Sequence, residues 1–278
     1  MHNKIILITF LFWSSFYFCQ EASDSNQLPQ EKVISEKDSL SNIPLNQVGI
    51  MHLQSVYDSN LPTMGMTSLQ YLRKTKNNKA TFIGRVNYRF RNGNNSLKYD
   101  FESYLKHGKK HYSFFGASVS DKKMFPGFEA HYYLYSALKK GWELETGAKF
   151  LSATNFSLFT PVIGLSKEFG NNRITLRNFF TFAQNDQYYG NSLTWRYLLN
   201  DSRDNISLMT GFGNAPDSKN IDFSEDFISN KSKFLGVGFE KNLKPFKLSA
   251  AGVYNNNHYS TGRKFNQFDI YMNIFYDF

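Results

Sequence analysis

The sequence predicts an all-β protein, a transmembrane antiparallel up-and-down β-barrel of about 12–14 strands. Three observations lead there. Aromatic residues make up 17% of the 278-residue chain although its mean hydropathy is −0.46, a combination that suits alternating, half-buried strands. Hydrophobic residues recur at every second position in segment after segment, the period that places alternate side chains on opposite faces of a strand. Short and long connections also alternate along the chain, as they do between the two ends of an outer-membrane barrel.

The N-terminus, MHNKIILITFLFWSSFYFCQEASDS, sets Lys4 before a short apolar run from Ile5 to Phe18. The run is too short to cross a bilayer comfortably, so residues 1–19 read as a secretory signal peptide. Cys19, the single cysteine, either leaves with that peptide or carries a lipid, and bulky Tyr17 and Phe18 just before it argue against the lipid. Cleavage after Cys19 would leave no thiol and no disulfide. Residues 20–46 are polar and nearly free of aromatics and read as a flexible periplasmic leader. Alternation then runs from 47 to 278 without a second boundary, which gives one barrel domain. No later stretch holds about 18 consecutive apolar residues, which excludes helical membrane spans.

The strands read, in order, as 47–57, 64–75, 79–91, 95–107, 110–120, 128–138, 141–152, 156–169, 172–184, 190–200, 204–213, 231–242, 245–255 and 265–278. Phe82, Val86, Tyr88 and Phe90 alternate with Arg85, Asn87, Arg89 and Arg91. Leu97, Tyr99, Phe101 and Leu105 oppose Lys98, Asp100, Glu102 and Lys106; Trp142, Leu144, Ala148 and Phe150 oppose Glu143, Glu145 and Lys149; Leu193, Trp195, Tyr197 and Leu199 oppose Thr194 and Arg196. Connections after even-numbered strands are tight. Those after odd-numbered strands include the long segments 59–64, 121–127, 214–230 and 256–264, with the tight turn at 93–94 as the exception. An even strand count then puts both mature termini at the short-turn, periplasmic end. The last segment, FDIYMNIFYDF, sets Phe268, Ile270, Met272, Ile274, Tyr276 and Phe278 on one face. That face is expected to meet lipid and to serve as the signal read by the barrel-assembly machinery. A soluble sandwich would alternate too, but it would leave two edges open and bury all these rings in one core.

Several stretches carry a family resemblance: GRVNYRFR (84–91), MFPGFEAHYYLYSALKKGWELETGAKFL (124–151), GLSKEFG through NRITLRNFFTF, SLTWRYLL (192–199) and MTGFGNAPD (209–217). Together they resemble the YaiO family of outer-membrane β-barrels over most of 48–278. The resemblance implies location and architecture and brings no catalytic residues. Family members often carry two Arg before Tyr in the later strand, where this chain has Trp195-Arg196-Tyr197.

The net charge of +9 does not point to nucleic acid. Its basic residues recur in turns, such as Lys74, Lys76 and Lys79, Lys109 and Lys110, Lys122 and Lys123, and Lys139 and Lys140, rather than in one stripe. Lipid and lipopolysaccharide of a Gram-negative outer membrane are the expected partners. The expected inward set is Arg85, Arg89, Arg91, Asp100, Glu102, Glu129, His131, Glu143, Glu145, Lys149, Arg177 and Arg196. Such a lumen suits a narrow pore or a binding barrel for small polar or glycan-like solutes, with rings of charge setting selectivity; the same residues would also pair simply to fill the interior. His52, His107, His111, His131 and His258 show no metal spacing, and there is no GxSxG elbow. No cofactor, metal or catalytic residue is expected. An enzyme acting on lipid or lipopolysaccharide, with Ser and His on different strands, is an alternative, and so is a structural or surface-interaction barrel. The acidic segment 214–230, with Asp217, Asp222, Glu225 and Asp226, reads as a solvated loop that would also suit a constriction or a divalent-ion site.

Overall fold

Backbone pairing determines the architecture. In the computed structural model, which describes residues 45–58, 60–154, 156–183, 186–199, 204–213, 231–258 and 264–278, fourteen strands form one closed antiparallel barrel. They are β1 (Asn46–Tyr57), β2 (Met64–Lys74), β3 (Ala80–Arg91), β4 (Asn94–Lys106), β5 (His111–Ser120), β6 (Phe128–Ala137), β7 (Trp142–Ser152), β8 (Ser157–Phe169), β9 (Asn172–Ala183), β10 (Asp186–Leu198), β11 (Asn205–Gly213), β12 (Lys231–Leu243), β13 (Phe246–His258) and β14 (Lys264–Asp277). Each strand pairs with its neighbours in sequence, and β14 closes on β1 from Gln47↔Asp277 to Tyr57↔Gln267. No edge is left to pair with another chain or to sit unsatisfied in hydrocarbon. The expected signal peptide, Cys19, most of the leader and the acidic segment 214–230 lie outside the described residues.

The two faces of the wall are chemically distinct. Every strand carries exposed large apolar side chains on its outer face, among them Ile50, Leu69, Val86, Phe101, Val119, Tyr132, Phe150, Ile163, Leu176, Leu193, Leu208, Val237, Leu248 and Met272. Such a belt is far larger than the apolar patches monomeric soluble proteins expose, and it matches the band that lipid covers in outer-membrane barrels. Aromatics sit near the short-turn end, where a wall passes from hydrocarbon to water. There the Trp195 indole N–H donates to Asn172 Oδ1 at 2.9 Å, and the Lys167 ammonium lies 5.2 Å from the Trp142 ring centre.

Differences from the sequence reading fall at the long-connection end. The tenth strand, read from 190, already pairs at Asp186↔Ala183. β13, read to 255, runs on to His258↔Lys264. Three successive Asn residues normally favour a turn. Here Asn255 donates to Asp269, Asn256 to Asn266 and Asn257 to Gln267, so their amides bridge β13 and β14 instead. The tight connection between β3 and β4 is a two-residue hairpin loop, with Asn92 at φ 49° and Gly93 at φ 76°, the twist that Asn-Gly supplies.

Val237 lies at the middle of β12 on the outer, apolar side. Val237→Arg is expected to weaken folding into lipid vesicles by about 2–4 kcal/mol. Denaturant titration of the refolded barrel measures it, and a change under about 1 kcal/mol would contradict a lipid-facing position.

Candidate functional site

The candidate site is the lumen, and one side of it is lined by charge. Arg85 on β3 reaches Asp100 Oδ2 at 3.3 Å and Glu102 Oε1 at 3.0 Å on β4, and donates to Gln70 Oε1 on β2 at 2.9 Å. Lys98 links Asp100, at 3.3 Å, to Glu129 on β6, at 3.4 Å. His131 stands 3.6 Å from Glu129 and faces Lys149 across the β6–β7 ladder. Glu145 on β7 receives two hydrogen bonds from Arg177 on β9, at 2.7 and 3.0 Å. Glu143 receives Arg173 at 2.6 Å, which also reaches Glu168 at 2.6 Å. The pair Glu145–Arg177 lies flat against the wall because β8 offers Gly164 beneath it. A Cβ there would stand 2.6 Å from Glu145 Oε2.

All twelve residues expected to face inward therefore have a defined place, though not one common site. Arg85, Asp100 and Glu102 form one group, Glu129, His131 and Lys149 a second, and Glu143, Glu145 and Arg177 a third. Arg91 stands at the upper end of β3, donating to the Pro62 carbonyl at 3.2 Å and lying 5.0 Å from the Tyr57 ring centre. Arg196 lies at the opposite end, next to Arg173 in the β9–β10 register. Lys98 and Arg173 complete the groups and share the parity of Asp100 and Arg177, which is the signal that marks them in the sequence. The terminal face Phe268, Ile270, Met272, Ile274, Tyr276 and Phe278 is exposed on the outside of β14 and beyond its end.

Rings occupy the interior as well as the outer wall. Phe114, Tyr133, Tyr135 and Phe179 are buried in the interior with Tyr104 and Tyr112 packed against them. Tyr112 and Tyr135 stack with centres 4.4 Å apart, and the Arg177 guanidinium lies 5.3 Å from the Tyr133 centre and 5.4 Å from that of Phe179. Tyr133 and Tyr135 share the parity of Glu129 and His131, and Phe179 that of Arg177, whereas β5 carries no charged side chain on its inner face to tell Phe114 from Phe115.

The connection from 121 to 127 folds inward at the long-connection end. Phe125 is 1% exposed, with the Arg89 guanidinium 4.2 Å and the Lys98 ammonium 5.4 Å from its ring centre. Arg89 donates to the Met124 carbonyl at 2.6 Å, and Ser120 to that of Pro126 at 2.8 Å. Asp121 accepts from the Ser96 hydroxyl and from the backbone N–H of Leu97 and Lys123. Burial opposes the Asp121 charge, but these donors and the nearby Lys123 outweigh it and hold the carboxyl below its ordinary value.

Across the lumen, β10 to β13 present small residues: Ser192 and Thr194, Ser207 and Gly211, Gly236 and Gly238, Ser249 and Ala251. Thr194, Ser207, Ser249 and Ala251 stay partly accessible while Ser192, Gly211, Gly236 and Gly238 are buried, and the opposite wall is mixed too, with Arg85, Asp100, Glu102 and Lys149 partly accessible and Asn87, Arg89, Glu129 and Glu145 buried. The two walls therefore differ in side-chain size and charge rather than in exposure. On the outer side, His107 contacts Ser113 at 2.7 Å and His111 contacts Ser136 at 3.0 Å. Neither imidazole has a carboxylate partner among the described residues, so the orienting third member of a hydrolytic triad is not beside them. No cluster of three metal-ligating side chains occurs among the described residues.

The pair Glu145–Arg177 is 5% and 9% exposed. Glu145→Gln leaves a buried guanidinium without its counter-charge and is expected to cost about 3–5 kcal/mol. Adding Arg177→Gln should recover part of that loss, a coupling that a double-mutant cycle of unfolding free energies measures.

The YaiO membrane beta barrel domain model matches residues 45–218. No curated protein sequence matches the chain. Among solved structures, the chain is similar to the CymD monoaromatic hydrocarbon channel, with 7% identity, TM-score 0.54, and coverage of 86% of this chain and 90% of that one. It is similar to a bacterial polysaccharide outer membrane secretin at 8% identity and TM-score 0.53, covering 85% of this chain and 99% of that one. At these identities the likeness is one of fold, an outer-membrane barrel, and it carries no solute across. The family match spans more than half of the sequence, and the chain belongs to the YaiO membrane beta barrel domain family.

Proposed function

We propose that the barrel is a narrow pore or binding barrel for small polar or glycan-like solutes. The observation that carries this reading is the asymmetric lumen, a compensated charged wall on β2 to β9 facing a wall of mostly small residues on β10 to β13. Paired charges in a wall offer donors and acceptors to a hydroxyl-rich solute without a strong net field. In this reading the short turns and both mature termini face the periplasm of a Gram-negative cell. The long connections face outward, lipid and lipopolysaccharide cover the apolar belt, and the outer face of β14 is read during assembly. The 121–127 segment, with Phe125 clamped by Arg89 and Lys98, is the constriction at the outer mouth.

Reconstitution into planar bilayers and solute-loaded vesicles tests the reading. Single-channel conductance, or saturable binding of a small sugar, is expected; absence of both would sink it. Phe125→Ala is expected to raise conductance about twofold or more by removing a ring from the mouth. Asp121 adds a pH dependence. Its folded-state pKa is depressed, so its hold on the loop is complete above the ordinary carboxylate value of about 4. That hold is lost only as pH falls through the lower folded value. Conductance should therefore stay constant from pH 7 down to about pH 4 and rise below it, while Asp121→Ala should show the raised conductance at neutral pH.

A further inference from the structure

Inward cations of the described barrel are held in two ways, and Arg89 and Arg91 show one of them, donating to backbone carbonyls and lying over rings. Arg85, Lys98, Arg173, Arg177 and Lys247 each hold at least one carboxylate. Arg196 makes no hydrogen bond or ion pair with any described residue, and its Nε is buried without a partner. The β9–β10 register sets it directly across from Arg173, and like charges in that relation repel. Arg173 is relieved twice, by Glu143 and Glu168. The carboxylate whose charge acts on Arg196 is Glu240, which already holds Lys247 at 2.9 Å and accepts from Asn205 at 3.4 Å. The guanidinium is flanked by Thr194 on its own strand and by Ser207 across the β10–β11 ladder, both partly accessible.

A guanidinium is a rigid planar fork whose natural complement is an oxyanion, bound through two parallel hydrogen bonds. Water can solvate its edges, but only an anion supplies the direct counter-charge that Arg173 has and Arg196 lacks among the described residues. We infer that Arg196, with Thr194 and Ser207 beside it, is an oxyanion subsite at the short-turn end of the lumen, taking the carboxylate or phosphate of an acidic sugar. The inference rests on the solute-binding reading above and deepens it from polar solutes in general to anionic ones.

The test uses the full chain refolded in detergent micelles and equilibrium binding of glucuronate, glucose 6-phosphate and glucose by calorimetry. Both acids are expected to bind and glucose to bind at least tenfold more weakly, with the tighter acid naming the preferred anion. Arg196→Gln should weaken both acids at least about tenfold, since a hydrogen bond to a charged group is lost, and leave glucose unchanged. Arg196→Lys keeps the charge but not the fork and should weaken them severalfold. Glu240→Gln, which removes a competing carboxylate, should tighten them. Absence of acid binding by the wild-type chain overturns the subsite, as does unchanged binding in Arg196→Gln or, if that variant does not fold, in Arg196→Lys. A barrel that binds the acids yet passes no current supports the subsite and overturns the pore. One that conducts without binding them overturns the subsite alone.

Discussion

Everything in this protein depends on the closure of one hydrogen-bonded ladder. A backbone N–H or C=O left unpaired in hydrocarbon costs several kcal/mol, and a fourteen-stranded sheet with two open edges would leave a row of them on each side. Pairing β14 with β1 along eleven residue positions removes both rows. Once the sheet is closed, the period of two gives each residue only two destinations, lipid or lumen. The chemistry of the interior follows from that division.

Charge inside so narrow a space is tolerable only where it is compensated. The structure meets this by placing carboxylates and cations on neighbouring strands at heights set by register: Arg85 across from Asp100, and Glu145 two strands from Arg177 with a glycine between. Gly164 illustrates how backbone choice serves electrostatics, because a side chain at that position would lift the pair off the wall. The resulting surface is polar but largely neutral in pairs, which makes the unrelieved guanidinium of Arg196 stand apart chemically as well as in position.

The two ends of the lumen are built differently. At the long-connection end, backbone carbonyls of Met124 and Pro126 are held by Arg89 and Ser120, so a short loop becomes part of the inner wall and carries Phe125 with it. A ring between two cations is stabilised by its quadrupole, and it fills space that a hydrated side chain would leave open. At the short-turn end the wall between β10 and β13 stays lined by small residues, and the charged groups there, Arg173, Arg196, Glu240 and Lys247, come from four strands rather than from one loop.

The sequence by itself determined the fold class and, to within a few residues, the strands, because alternation and turn spacing are local properties written into consecutive residues. It also marked Arg85, Glu129, Glu145 and Arg177 as members of the non-lipid parity. It did not separate the ring of Phe114 from that of lipid-facing Phe115, since an aromatic suits either face and β5 has no charged residue to mark its inner parity. It began β10 four residues late and ended β13 three residues early, the latter where Asn-rich composition favours a turn until cross-strand amides are present to hold the ladder. Only the tertiary structure decided which charges meet, that segment 121–127 turns inward, and that Arg196 faces Arg173 without a carboxylate of its own. Those outcomes depend on register between segments tens of residues apart, and no single stretch of the chain contains that information.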